Sequence, residues 1–294
     1  MSKPGATLTE ADAALDSYVS LRNAAEQELD AAALADIEQG TMLDIDQSAF
    51  AIRGVLGIDG RPLDVGDTPT VWASRFDEYP LWFVALVTLP QEEQQAAYVF
   101  RRATSTSPWR VAAAPRLADS TKVPRVAEAD DGTVARYVDG DPPRWSDGAA
   151  VDLDSSPQDI ADAYADVLTD DGSPHADEFV EDSFIAQMRQ IRKAQPRKGV
   201  TFDQQWKADP VDYVLRLADG GALMVVDLHR LDEFRVKQGK ALKFGGSEAG
   251  AYLPDPITDT AKLRYEHQVL MVVPAEGQPL VIGQYGGLVS AQGH

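Results

Sequence analysis

The chain has 294 residues, of which 44% are hydrophobic and 25% charged, so it can form one large or two ordinary globular domains and is not disordered as a whole. Its formal net charge of −20 disfavours nucleic acid and anionic lipid surfaces as partners, because both are negatively charged. The chain contains no cysteine, which excludes disulfides, thiolate metal sites and cysteine nucleophiles.

The beginning of the sequence, MSKPGATLTEADAAL, lacks the apolar region of a signal peptide. No run along the chain reaches the roughly 18 uncharged apolar residues that a membrane helix needs. These two observations predict either a cytoplasmic protein or the mature part of an exported one.

The first half opens with helix signals. Thr7 and Glu10 have the spacing of a capping box, followed by an apolar stripe that predicts a helix over 9–23. An alanine-rich stretch around Leu29, Ala33 and Ile37 predicts a second helix. Strands are then predicted over 50–58, 70–76, 81–89, 97–103 and 109–114.

The second half repeats this order. Ser156-Pro157 and Ser173-Pro174 each predict a helix start, with a cap followed by proline at the first helical position. Strands are predicted over 211–217, 223–231, 265–273 and 280–286, and Asp219-Gly220-Gly221 predicts a hairpin turn between the first two. The repeated order indicates an internal duplication of roughly 110 to 140 residues.

The stretch YPLWFVALVTLP, residues 79–90, contains a strand that is apolar on both faces. Such a strand lies at the centre of a sheet that is covered on both sides. Helices would cover one side. The curvature of the sheet, the other half, the connecting segment or a second chain would cover the other.

These patterns divide the chain into domains at 1–118 and 155–294, joined by an acidic connector over 119–154 in which 134–138 could pair as one strand. From Asp119 to Asp182 the sequence carries eighteen acidic and four basic residues. This charge is interpreted as a solvated connector, with a docking surface for a partner as the alternative.

The Trp-initiated strand in SPWRVAAAPRL, after a helix pair and a meander, resembles the NTF2-like (cystatin-like) α+β fold. With SPQDIADAYADVL opening the second half, most of the chain is similar to a family of uncharacterised actinobacterial lipoproteins. The resemblance implies two tandem NTF2-like units, each with N-terminal helices packed on a curved antiparallel sheet. It also implies an exported protein held to the membrane only through a lipid on an N-terminal cysteine, which would lie outside the given residues. The family has no established activity, so no catalytic residue is carried over.

One constellation could carry chemistry. Asp227 and His229 are two apart on a predicted strand and therefore share a face, where a carboxylate could orient an imidazole as a general base. Tyr265 and His267 share a face of a later strand and could donate a proton. If the two faces coincide, all four residues line one cavity in the second unit. The alternative places Asp227 and His229 at a solvated strand end.

No cofactor or metal site is predicted. A zinc ion bound by His229 and His267 would need further ligands, and the sequence does not identify them. Asp139-Gly140-Asp141 and Asp152-Leu153-Asp154 do not continue into a calcium-binding loop, and the glycine pairs match no nucleotide-binding fingerprint.

These observations favour a non-catalytic, extracytoplasmic protein that binds an unidentified protein or small molecule at the cell envelope. The alternative functions are a dehydratase-like or isomerase-like enzyme that uses the pocket of the second unit, and a structural dimer.

Overall fold

The structure, a computed structural model, describes residues 2–66, 68–118, 121–136 and 155–294. The α-helices of this part are α1 (Leu8–Glu28), α2 (Gly40–Leu56), α3 (Pro157–Thr169) and α4 (Ser183–Ala194). Short 3₁₀ turns cover Ala33–Asp36, Ala176–Glu178 and Glu248–Ala251. The predictions for 137–154, including both aspartate-rich motifs, lie outside the described residues.

Antiparallel strands are the other regular elements of the described part. They are β1 (Lys3–Pro4), β2 (Thr70–Ala73), β3 (Arg75–Phe76), β4 (Leu81–Leu89), β5 (Gln94–Arg102), β6 (Arg110–Ala113), β7 (Arg116–Leu117), β8 (Val200–Ala208), β9 (Tyr213–Arg216), β10 (Ala222–Val236), β11 (Thr260–Val273) and β12 (Leu280–Gly293). Ten of them form one sheet in the order β2-β4-β5-β7-β12-β11-β10-β8, with β6 beside β5 and β9 beside β10.

Two predicted helix starts are confirmed. The Thr7 hydroxyl accepts from the Glu10 backbone N–H at 3.2 Å, and the Thr7 N–H donates to the Glu10 carboxylate at 2.9 Å. Ser156 caps α3 by accepting from the Asp159 N–H at 3.1 Å. Each cap satisfies backbone groups that the first helical turn leaves without partners.

Three local predictions were wrong. The strand over 50–58 is the end of α2, whose buried Met42, Ile45 and Ile52 follow a helical period. The predicted second helix is only a 3₁₀ turn, because α1 ends at Leu29 in the left-handed region and the Asp30 side chain accepts from the next backbone N–H groups. The helix predicted to start at Ser173-Pro174 does not start there. Instead α4 begins nine residues after Pro174, at a cap made by Asp182.

The strand over 81–89 is confirmed, and the structure shows what covers each face. Phe83 and Val87 pack in a core with α1 and α2. Trp82 and Val84 pack in a second core with residues of β9, β10 and β11 and with the segment 121–136. The Trp82 ring lies 5.5 Å from that of Tyr213 on β9, so the sheet curves until distant strands face each other. The other half and the connector therefore supply the second cover.

The two halves join at one strand pair. Gly283 of β12 pairs with Leu117 of β7. A Cβ at residue 283 would lie 2.8 Å from the Arg116 carbonyl oxygen, so this close approach requires glycine. The α+β class with an antiparallel sheet is confirmed. Because both halves share this sheet, the division at 118 and 155 stays a prediction.

Candidate functional site

A hollow of about 660 Å³ lies between α1, α2 and the sheet. Its volume falls within the range of small-molecule sites. Its polar wall consists of Tyr18, Arg22, Glu26, Asp46, Arg53, Arg61, Gln91, Glu92, Tyr98, Arg116 and Tyr285. Tyr285 belongs to β12, so both halves of the chain build this hollow.

Arg22 organises the inner wall. Its side chain is only 12% exposed and lies among three acidic side chains. Nη2 is 2.9 Å from Asp46 Oδ2, Nε is 3.4 Å from Glu38 Oε1, and Nη1 donates to Glu26. Arg22 and Glu26 are neighbours because residues four apart share one face of a helix. Tyr285 donates to the second oxygen of Asp46 and so attaches this network to β12.

Glu38 lies behind Arg22 and is fully buried. The Tyr18 hydroxyl donates to Oε1 at 2.9 Å, whereas Oε2 has no partner in the described part of the chain. Burial raises the pKa of Glu38 to about 9, and the nearby Asp46 carboxylate acts in the same direction. Glu38 is therefore protonated at neutral pH, which limits the negative charge that Arg22 must balance.

The loop after α2 forms the rim of the hollow. Arg53 donates to Glu26, and the Arg61 backbone N–H donates to Glu26 Oε1 at 3.0 Å. A Cβ at Gly60 would lie 2.6 Å from the Glu26 carbonyl oxygen, so only glycine lets the loop rest on α1.

The outer wall has polar groups that remain available. Tyr98 is 3% exposed and borders the hollow, yet its hydroxyl makes no hydrogen bond within the described residues. The exposed Arg61 side chain makes no ion pair there either. Arg116 pairs with Glu92 at 2.5 Å, and both side chains are more than a third exposed.

The strand register separates the four residues predicted from sequence. Asp227 is opposite Gln268 and His229 is opposite Glu266, whereas His267 is opposite Leu228. Tyr265 is likewise opposite Arg230. Side chains of directly opposed residues share a face, and adjacent residues alternate. Asp227 and His229 therefore lie on one face, and Tyr265 and His267 lie on the other. No single cavity is lined by all four.

On the first face, the partner of the imidazole is not Asp227. His229 Nε2 lies 2.7 Å from Asp209 Oδ2, and Nδ1 lies 3.6 Å from Glu266 Oε1. The nearby carboxylates of Glu266 and Asp209 raise the pKa of His229 to about 9. A charged imidazolium at neutral pH cannot accept a proton, so this state opposes a role as general base.

Asp227 borders a second hollow of about 340 Å³, together with Arg101, Asp209 and Asp212. It accepts from Gln268 Nε2 at 2.9 Å. Burial raises the pKa of Asp227 to about 6, so the carboxyl group titrates close to neutral pH.

On the second face, His267 is enclosed by aromatic rings. The ring centroids of Trp206 and Phe184 lie 5.1 and 5.4 Å from the imidazole, and that of Tyr265 lies at 6.5 Å. Neither ring nitrogen has a hydrogen-bond partner in the described part of the chain. Burial lowers the pKa of His267 to about 3, which makes it a neutral core residue.

The two histidines predict opposite pH dependences. Between about pH 6.5, the pKa of histidine in the unfolded chain, and pH 3, residue 267 is protonated only in the unfolded chain. As the pH is lowered through this range, the free energy of unfolding therefore decreases by up to about 1.4 kcal/mol per pH unit. The stabilisation from His229 is complete below about 6.5 and is lost as the pH rises toward 9. In a plot of the free energy of unfolding against pH, we expect His267→Phe to reduce the slope on the acid limb, below about pH 6.5. We expect His229→Gln to reduce the slope on the alkaline limb, above that pH.

Urea unfolding of the three proteins between pH 4.5 and 9 checks this prediction, and each variant serves as the control for the other limb. A slope between pH 4.5 and 6.5 that is the same in His267→Phe as in the parent chain would contradict the assignment of His267.

No group of three or more histidine, aspartate or glutamate side chains in the described residues could hold a metal ion. Among the helices of that part, none combines the length and hydropathy of a membrane span.

Comparison with known proteins gives a family but no activity. The family model described as "Domain of unknown function (DUF8094)" matches residues 2–293. An uncharacterized lipoprotein of Streptomyces coelicolor is 25% identical over 301 residues, covering 99% of this chain and 87% of that protein. An uncharacterized lipoprotein of Streptomyces avermitilis is 25% identical over 305 residues, with the same coverage. No solved structure matches the chain. The resemblance to uncharacterised actinobacterial lipoproteins is confirmed.

Proposed function

The chain belongs to the DUF8094 family, and from that premise we propose that it is a non-catalytic, extracytoplasmic protein that binds a small molecule at the cell envelope. The hollow of about 660 Å³ carries this proposal. Its Arg22 network fixes the wall before any ligand arrives, which lowers the cost of ordering side chains on binding. The lipoprotein names of the relatives support the location.

The tandem NTF2-like arrangement is part of the proposal. α1 and α2 pack against β4 and β5 in one core, and α3 and α4 pack against β8, β10 and β11 in another. Two helix pairs that each cover part of a curved sheet are the pattern that the resemblance implies.

The enzyme alternative retains one supporting observation. Asp227 borders the 340 Å³ hollow and has a pKa of about 6, which suits an acid-base group. The imidazole that was predicted to act with it as general base is that of His229. Its pKa of about 9 keeps His229 protonated at neutral pH, so it cannot accept a proton there. Binding without turnover is therefore the better supported function.

A thermal-shift screen tests the binding proposal. The panel contains anionic, neutral and cationic small molecules, each assayed with the parent chain, Ala49→Trp and Ala51→Trp. Ala49 borders the hollow, so an indole there would fill it, whereas Ala51 is exposed on the same helix. We expect at least one compound to stabilise the parent chain and Ala51→Trp but not Ala49→Trp. If no compound of any class stabilises the parent chain, the binding proposal is wrong.

The location is tested separately. Protease added to intact protoplasts of the source organism should degrade the protein, whereas protection from the protease would contradict an extracytoplasmic location.

A further inference from the structure

The charge of the hollow differs from that of the protein. The described residues that line it include four arginines and three carboxylates, whereas the whole chain has a net charge of −20. The carboxylates are Glu26, Asp46 and Glu92. Glu38 adds no negative charge behind the wall at neutral pH, because its carboxyl group is protonated. A hollow with excess positive charge in an acidic protein favours an anion.

The arginines differ in how far they are engaged. Arg22 and Arg53 are held by carboxylates and are 12% and 21% exposed, so they support the wall. Arg61 at the rim has no ion pair in the described part of the chain. The pair between Arg116 and Glu92 is more than a third exposed, and such surface pairs are worth about 1 kcal/mol or less. Arg61 and Arg116 can therefore turn to a ligand at little cost.

Tyr98 gives an independent indication of a ligand. It is 3% exposed on the sheet side of the hollow, and its hydroxyl has no hydrogen-bond partner among the described residues. The hydroxyl oxygen is not fully enclosed by protein, so it opens onto the hollow, where a ligand can accept its hydrogen bond. The ring is fixed against Tyr18, with centroids 5.7 Å apart, so the hydroxyl has a defined position. A phenol donates well to an anionic oxygen.

The shape and the apolar lining indicate the rest of the ligand. Met42, Ala49, Leu63 and Ala114 border the same hollow as the tyrosines. A volume of about 660 Å³ exceeds what a bare inorganic ion fills. An organic molecule with an apolar or aromatic part and one acidic group fits both features.

We propose that the hollow binds a small organic anion, whose carboxylate or phosphate group contacts Arg61, Arg116 and the Tyr98 hydroxyl. This inference rests on the proposed binding function and specifies its ligand class. Arg22 holds the wall in place and does not contact the ligand.

Calorimetric titration with four matched probes tests the inference: phenylacetate, phenyl phosphate, benzyl alcohol and benzylamine. We expect one or both anions to bind and the other two probes not to bind, with affinity falling as sodium chloride is raised. Arg61→Gln and Tyr98→Phe should each weaken binding about tenfold or more, the equivalent of one charge-assisted hydrogen bond. Arg235→Gln, in an exposed pair that does not line the hollow, is the control and should leave affinity unchanged. Circular dichroism verifies that each variant is folded.

The outcomes separate the two proposals. Tighter binding of phenylacetate or of phenyl phosphate decides between a carboxylate and a phosphate. If benzyl alcohol or benzylamine binds as well as the anions, or if folded Arg61→Gln and Tyr98→Phe bind normally, the anion inference is wrong while binding in the hollow stands. If neither these probes nor any compound of the thermal-shift panel binds, both proposals fail.

Discussion

Replacing Arg22 by methionine is expected to lower the free energy of unfolding at pH 7 by about 3 to 5 kcal/mol. The guanidinium is 12% exposed and pairs with Glu26 and Asp46, so its removal leaves two buried carboxylates without their cation. Methionine retains much of the side-chain volume, so the loss reports charge and hydrogen bonding more than packing. Urea unfolding followed by circular dichroism measures the effect.

Arg235→Met is the matched control, because that side chain is 69% exposed and its pair with Glu233 is solvated. Its effect should be within about 0.5 kcal/mol. Equal effects of the two substitutions would show that the network around Arg22 does not hold the wall of the hollow.

Gln268→Met is expected to lower the free energy of unfolding by about 3 kcal/mol or more, since each buried polar group left without a partner costs about 1 to 3 kcal/mol. Gln268 is fully buried on β11. Its Nε2 donates to the Ala112 carbonyl at 2.8 Å and to Asp227 at 2.9 Å, and its Oε1 accepts from the Ala114 N–H at 3.1 Å. One side chain thus links a strand of the second half to the end of β6 in the first.

Gln205→Met on β8 is the control, because Gln205 is exposed and its side chain, among the described residues, bonds only to the nearby Asp203 side chain. A change in stability of Gln268→Met no larger than that of this control would contradict the role of Gln268 as a link between the halves.

Local signals predicted much of the fold. The Thr7 and Ser156 caps, the apolar strand over 81–89 and the glycine hairpin after β9 depend on neighbouring residues, and each is found in the structure. β8 was missed, although Phe202, Gln204, Trp206 and Ala208 alternate in burial with exposed residues. The strand over 50–58 failed because Phe50 and Ile52 alternate locally, whereas the helical period appears only when Met42 and Ile45 are included.

The joining of the halves could not be predicted in the same way. It depends on Gly283 meeting Leu117 and on Gln268 reaching Ala112, pairs separated by more than 150 residues. Repetition of helices and strands in a sequence shows which elements form, but pairing between distant strands leaves no local pattern.

The candidate site was missed for a related reason. The sequence search favoured histidine and aspartate on strands, and the register then placed Asp227 and His267 on opposite faces. Arg22 and Glu26 had the spacing of an ordinary surface pair on a helix. Only the packing of α2 and β12 against α1 makes them a buried wall. The sequence therefore shows that Arg22 and Glu26 share a helix face, but it does not show that this face is buried.

Both halves build the hollow through one continuous sheet. Hydrogen exchange along a urea series, read by mass spectrometry on peptides from α1 (8–28) and α3 (157–169), tests it directly. Because β7 and β12 join the halves and Gln268 links them, we predict that both peptides lose protection at the same urea midpoint. Two well-separated midpoints, with one half protected while the other exchanges freely, would contradict the account.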